Sequence, residues 1–281
     1  MSHINCNATC SCLSCFYRLY KLADFIYNNI VFDAQNQYAP CIPFEEVRTI
    51  YSYLLSCVEE EYTTRKTIKN SERGSVSLLQ NRQNGTLLIF RHYRGNGEVY
   101  RKLLNVSCPN LPQILEEAES DGMVAVLEEY IQGDPLDFLL EGVLFSPEEA
   151  RRIILQLCNA LWVLHSLGAV HRDIKPENVI IRGSEAVLID FDASRIFKNE
   201  SSGDTQILGT TGYAAPEQYG IAQTDQRSDI YSLGVLLNIM LTGKHPSREL
   251  APGRLGRIVQ KCTMVNPKKR YKNVLYLMEA L

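Results

Sequence analysis

The chain has 281 residues, 45% of them hydrophobic and 22% charged, an ordinary balance for a globular protein with a substantial core. A formal net charge of −3 without a long acidic or basic tail gives no electrostatic footing for binding nucleic acid or an anionic membrane surface. There is no run of about eighteen apolar residues and no signal-like leader, so the expectation is a cytoplasmic protein with neither a membrane nor a nucleic-acid partner.

Five of the nine cysteines, Cys41, Cys57, Cys108, Cys158 and Cys262, lie singly among apolar neighbours and read as buried thiols of a reducing compartment. Cys6, Cys10, Cys12 and Cys15 cluster in "CNATCSCLSC". Their C-x3-C-x-C-x2-C spacing is not the paired C-x2-C knuckle of a zinc site and no second cluster completes it. Metal binding, acylation and oxidation stay open for these four thiols.

Residues 13–33 and 44–62 carry apolar side chains at helical spacing, the second behind Pro43 with Glu45 and Glu46 in its first turn. A helical, Cys-containing N-terminal segment over 1–70 is expected, with the basic run "TTRKTIKNSER" at 63–73 as a solvated face or linker. From about residue 75 the texture becomes β-type: "SVSLLQ", "TLLIFRHYR", "EVYRKLL", "QILEEAES" and "MVAVLEEY". Gly95-Asn96-Gly97 and Asp121-Gly122 supply turns. These runs predict a five-strand antiparallel sheet over 75–130.

Beyond "IQGDPL" the chain turns mainly helical. Ser146-Pro147-Glu148-Glu149 is a strong helix start, with a capping hydroxyl, proline at the first position and acid facing the dipole, and Gly168 closes that helix. "NVIIRG" and "AVLIDF" flank a turn at Gly183-Ser184, and "DIYSLGVLLNIMLTG" is apolar on nearly every face, as a buried helix is. The fold class is therefore α+β, a small sheet lobe (75–130) followed by a larger helical lobe (134–281).

Between helix and strand pair lies "HRDIKPENVI", residues 171–180, dense in charge and amide. With "DFD" at 190–192 and "GTTGYAAPE" at 209–217, in that order, it resembles the catalytic loop, the metal-binding motif and the end of the activation segment of a Ser/Thr protein kinase of bacterial type. The resemblance covers roughly 75–281 and implies a two-lobed kinase fold. It also implies ATP and Mg²⁺ as cofactors and a protein Ser or Thr hydroxyl as acceptor.

Residue by residue, it makes Asp173 the group that orients the acceptor hydroxyl and takes its proton, and Lys175 the cation on the γ-phosphate. Asn178 and Asp190 become the magnesium ligands, hard oxygen donors that leave the ion its waters and the nucleotide phosphates. "EVYRKLL" resembles the strand with the phosphate-contacting lysine, which family register places at Lys102, with Arg101 as competitor. Glu128 and Tyr130 in "VLEEYIQG" fall among the nucleotide-contacting positions. His171 is scaffold. Asp229 resembles the buried carboxylate that caps the catalytic-loop backbone, and Glu217 the acid that pairs with a late arginine, here Arg270. Arg172 beside Asp173 implies control by phosphorylation of the activation segment, with Thr205 and then Thr211 as sites, while Thr210 belongs to the active site.

Three departures stand out. "LLQNRQNGTLL", taken as the loop between the first two strands, has one glycine, Gly85, where a glycine-rich loop is expected. Only "LLNVS" separates Lys102 from "CPNLP", so the regulatory helix and its lysine-pairing glutamate are missing. Glu128, from inside the sheet, or Glu59, Glu60 or Glu61 of the helix around 44–62, is open as the replacement. Asp192 stands for the motif's glycine, restricting the backbone and adding a carboxylate beside the metal. "GKHPSRELAPGRLGRIVQKC" leaves little room for a substrate-docking helix. The reading is a live Ser/Thr kinase whose acceptors include its own chain, set against a pseudokinase scaffold and a kinase-fold enzyme with a non-protein acceptor.

Overall fold

A computed structural model describes residues 50–197, 210, 212–219 and 224–281. The chain divides after Val47, and everything described belongs to the second unit, Arg48–Leu281. Cys6, Cys10, Cys12, Cys15, the helix expected over 13–33, Thr205 and Thr211 lie outside the described residues.

The described chain opens with α1 (Ile50–Glu61), the later part of the helix expected over 44–62, and runs directly into β1 (Tyr62–Ser71). β2 (Gly74–Asn81), β3 (Leu87–Arg94), α2 (Glu98–Leu103), β4 (Ile114–Ser120) and β5 (Met123–Glu129) complete the small lobe. The five strands form one antiparallel sheet in the order β1-β2-β3-β5-β4.

Two assignments differ from the sequence reading. The first strand is 62–71, the basic run read as linker, so the boundary expected near residue 75 falls inside the small lobe. Nine of its ten residues are exposed, and such an edge strand shows no alternation of polar and apolar side chains to betray it. "EVYRKLL" is the short helix α2, with Glu98 in its first turn and Val99, Tyr100 and Leu103 buried. Six residues of mixed apolar and charged character fit a strand or a helix turn equally well by pattern.

The hairpins have the expected chemistry. Asp121 and Gly122 both take positive φ, 52° and 70°, as a two-residue β-hairpin requires. Gly74 begins β2 with φ 150°, and a Cβ there would collide with the His92 carbonyl.

Alternate strand residues share a face. On the outer face, Leu54 of α1 packs against Ala118 and Ala125, and Tyr51 Oη lies 2.6 Å from His92 Nε2. On the inner face, Tyr93, Val124 and Val126 join Val99 and Tyr100 of α2 in a core that continues into the large lobe through Leu157, Leu161, Phe191 and Leu233. Arg91 and Glu128 belong to this inner face.

The large lobe follows as β6 (Asp134–Pro135), α3 (Leu136–Leu140), α4 (Pro147–Ser166), β7 (Ala169–Val170), β8 (Val179–Arg182), β9 (Glu185–Leu188), β10 (Arg195–Ile196), α5 (Gln226–Thr242), α6 (Gly253–Cys262) and α7 (Val274–Ala280). Ser146 and Glu149 cap α4 reciprocally, as their spacing predicts. α5 is buried on nearly every face and lies so close to α6 that a Cβ at Gly234 would strike Cys262. Residues 243–252 join α5 to α6 without a helix, in line with the trimmed lobe expected. No described helix is long and apolar enough to cross a membrane.

Candidate active site

The catalytic loop hangs between β7 and β8 and is held from below by a buried carboxylate. Asp229, near the start of α5, accepts the backbone N–H of His171 at 3.0 Å and of Arg172 at 2.9 Å, and its Oδ2 lies 2.8 Å from His165 Nε2. Burial works against this carboxylate, but the His165 hydrogen bond, His171 and the Arg172 amide outweigh it and hold its pKa below the ordinary range. These contacts fix Arg172 at φ 71°. Gln218 adds a bond from its Nε2 to the Arg172 carbonyl at 2.8 Å. The ring of His171 is buried edge-on to Phe191 and its pKa is lowered by burial, so it serves as neutral scaffold.

On that platform four side chains converge. Asp173 Oδ2 lies 2.9 Å from Lys175 Nζ, and Lys175 Nζ donates to Thr210 Oγ1 at 2.8 Å. Thr210 Oγ1 in turn donates to Asp173 Oδ1 at 2.7 Å. Asn178 Nδ2 donates to the Asp173 carbonyl at 2.8 Å and to Asp173 Oδ2 at 3.0 Å, which leaves the amide oxygen of Asn178 for another partner. Asp173 and Lys175 remain half-buried, open to a ligand, while Asn178 is buried. The structure thus brings Asp173, Lys175, Asn178 and Thr210 into one hydrogen-bonded set.

Asp190 follows β9 with φ 68°, a left-handed conformation uncommon for an aspartate. Burial opposes its charge, but Arg91 and then Lys69 more than offset this and keep the carboxyl below its usual pKa. Burial and the neighbouring Asp190 instead push Asp192 up. Together with Asn178, Asp190 offers two hard oxygen donors. Among the described residues no three His, Cys, Asp or Glu side chains are placed to hold a metal alone. A two-donor set suits Mg²⁺, which keeps waters and nucleotide phosphates in its octahedron.

The cation facing these carboxylates is Arg91, not Lys102. Lys102 lies on α2, where its Nζ donates to the Leu167 carbonyl at 3.0 Å, and Arg101, its competitor, makes a two-pronged pair with Glu117. Arg91 on β3 donates from Nε to Glu128 Oε1 at 2.7 Å and from Nη1 to Asp190 Oδ1 at 3.2 Å, with Asp192 Oδ2 at 3.5 Å. Both partners of the Arg91–Glu128 pair are almost wholly buried, at 5% and 3% side-chain exposure. Glu128 pairs from inside the sheet, at the position expected, with a different cation. Its second oxygen, Oε2, is buried without a partner, and burial raises its pKa against the pull of Arg91. α1 covers the opposite face of the sheet, so Glu59, Glu60 and Glu61 do not replace the missing glutamate. Tyr130, directly after β5, is half-buried where the chain crosses between lobes.

A signal for Arg91 was present: "LIFR", residues 88–91, has the apolar-apolar-apolar-cation form of the V-A-I-K strand motif, with arginine for lysine. With β1 and β2 as the first two strands, their turn is Ser71 to Gly74, and Gly74-Ser75-Val76 matches the last three positions of the glycine-rich motif. Gly85 belongs to the next connection. In the lower lobe, Arg270 holds Glu217 through two bonds of 2.6 and 2.8 Å, as expected.

Compared with known families, residues 92–274 match the protein kinase domain. The chain belongs to the protein kinase family. The match begins one residue beyond Arg91, so α1, β1, β2 and most of β3, where this kinase departs most from the pattern, fall outside it. It is 35% identical over 154 residues to the serine/threonine-protein kinase pkn2 of Myxococcus xanthus, covering 52% of this chain and 19% of that protein. With the serine/threonine-protein kinase PknB of Mycobacterium tuberculosis the identity is 35% over 159 residues, 52% of this chain and 25% of the relative. The serine/threonine-protein kinase SRK2J of Arabidopsis thaliana is 31% identical over 222 residues, 74% of this chain and 65% of its own length. The chain therefore spans only a fifth to a quarter of the two bacterial relatives.

Proposed function

We propose that this kinase domain transfers the γ-phosphate of ATP, with Mg²⁺, to a serine or threonine hydroxyl of a protein, its own chain included. The observation that carries the reading is the closed set Asp173–Lys175–Thr210–Asn178 set opposite Asp190. Phosphoryl transfer needs alignment and charge neutralisation more than covalent help, and these residues supply both.

Asp173, held by Thr210 and Asn178, presents a carboxylate oxygen to the acceptor hydroxyl, orients it and accepts its proton as the bond to phosphorus forms. Lys175, tethered between Asp173 and Thr210, places an ammonium beside the transferring group. Asn178 and Asp190 would hold Mg²⁺, which when bound neutralises charge on the nucleotide phosphates. Arg91 takes the place of the phosphate-contacting lysine, its guanidinium oriented by Glu128 in place of a helix glutamate. An arginine keeps the charge and offers a planar fork suited to phosphate oxygens. Tyr130, at the crossing between lobes, and Glu128 line the nucleotide side of the cleft.

A second reading, a nucleotide-binding scaffold without transfer, is favoured by one observation: the arginine standing for lysine is engaged on Asp190 itself. Incubation of the full chain with Mg²⁺ and ATP labelled at the γ- or, separately, the α-phosphate separates the readings. Acid-stable label on serine or threonine from the γ-position alone is expected. Label from the α-position would mean nucleotidylation, and none from either would favour the scaffold.

A further inference from the structure

We infer that Tyr100 on α2 positions the metal-binding carboxylate of Asp190 through Asp192 and the Phe191 amide, while the pairing of the cation is left to Glu128. The inference deepens the proposed function, since it rests on Asp190 as a magnesium ligand.

Tyr100 is fully buried. Its ring meets that of Phe191 edge-on at 5.6 Å between centroids and lies 6.3 Å from Tyr93. Its hydroxyl makes two bonds to successive residues of the motif. It accepts the Phe191 N–H at 3.2 Å and donates to Asp192 Oδ1 at 2.8 Å. The other oxygen of Asp192 faces Arg91, and the Asp192 N–H donates to Asp190 Oδ1 at 3.3 Å. Arg91 Nη1 closes the circuit on the same Asp190 oxygen. Asp192, Arg91 and Asp190 thus form a ring of polar contacts, held on one side by Tyr100, which bridges Asp192 and the Phe191 amide, and on the other by Glu128 through Arg91.

This ring explains two oddities together. Asp190 holds a backbone conformation that a non-glycine residue keeps only where its surroundings over-determine it. Asp192 stands where the motif has glycine and gives the tyrosine an acceptor; with glycine there, the buried Tyr100 hydroxyl would lose the acceptor for its proton. Both oxygens of Asp192 are engaged, by Tyr100 and Arg91, so it acts as a handle on the motif rather than as the extra metal ligand its sequence position suggests. A six-residue α2 therefore suffices to hold Asp190 in place before nucleotide arrives.

The test compares the full wild-type chain with Tyr100→Phe, which keeps the ring and removes the hydroxyl, and Asp192→Asn, which keeps an acceptor for it. Two readouts are taken: hydrogen exchange of the peptide over 189–194, and Mn²⁺ affinity in the presence of a non-hydrolysable ATP analogue. Loss of one buried hydrogen bond predicts about tenfold faster exchange at the Phe191 amide in Tyr100→Phe, and about tenfold weaker Mn²⁺ binding. Exchange in α4 and α5 stays as in wild type, and Asp192→Asn retains the protection at Phe191. The inference is overturned by unchanged exchange in Tyr100→Phe, by an equal rise across α4 and α5, or by faster exchange with undiminished Mn²⁺ affinity. A wild-type chain that takes up no Mn²⁺ with nucleotide would sink the proposed function instead, while the exchange comparison still decides whether Tyr100 holds the motif.

Discussion

Replacing Arg91 with methionine would remove the guanidinium that contacts Glu128, Asp190 and Asp192. Glu128 would be left buried at 3% side-chain exposure with neither oxygen partnered, and Asp190 and Asp192 would face each other without Arg91 between them. Breaking a buried pair from one side costs about 3–5 kcal/mol, because the remaining charge stays desolvated. At roughly 2–4 °C per kcal/mol for a domain of this size, the melting midpoint is expected to fall by on the order of 10 °C. The companion double variant Arg91→Met, Glu128→Met removes both charges and should regain most of that loss, since apolar residues of similar volume often replace a buried pair at little cost. Thermal melts followed by far-UV circular dichroism at pH 7 measure both. A single variant within about 2 °C of wild type, or a double no more stable than the single, would refute the view that Arg91 and Glu128 form the structural axis of the nucleotide side.

Asp229→Asn removes a carboxylate whose folded pKa lies below its unfolded value, so its stabilisation is present above the ordinary aspartate range and is lost as pH falls through the folded value. The variant should therefore melt lower at pH 7 yet show a flatter fall in midpoint below about pH 4 than wild type. Glu217→Gln breaks the two-pronged hold on the buried Arg270 and should cost about 3–5 kcal/mol in urea denaturation, with transfer chemistry affected only through folding. Ser146→Ala removes the α4 capping box and should cost about 1 kcal/mol without changing nucleotide affinity.

The parts of the large lobe that carry the site could be read from the chain, because their signals are local and redundant, while the short helices α3, α6 and α7 were not singled out. The Ser146 cap, the buried α5, the Asp229 hold on the catalytic loop and the Glu217–Arg270 pair each stand where spacing and family likeness put them. The small lobe was harder for physical reasons. β1 is an edge strand exposed along nearly its whole length, so burial imposes no alternation on its residues, and its lysines and arginine look like linker charge. Missing it moved the first hairpin one strand along, sent the search for the glycine-rich loop to Gly85 and let Lys102 stand for Arg91. α2 was hidden because a buried six-residue helix and a strand share the same apolar count. Glu128 still faces inward, because the two faces of β5 alternate along its own strand, but the cation it meets is Arg91 and not Lys102.

Whether Asp173 and Asp190 make this chain a working phosphotransferase is read from single-turnover transfer of phosphate from γ-labelled ATP with Mg²⁺. Wild type, Asp173→Asn and Asp190→Asn would be compared, with the full chain and a basic protein as acceptors. Label on serine or threonine is expected in wild type, with a loss of about 10²–10⁴-fold in Asp173→Asn, the worth of a positioned proton acceptor, and Asp190→Asn falling as far or further. ATP binding without label in wild type, or label that persists undiminished in both variants, would contradict that expectation.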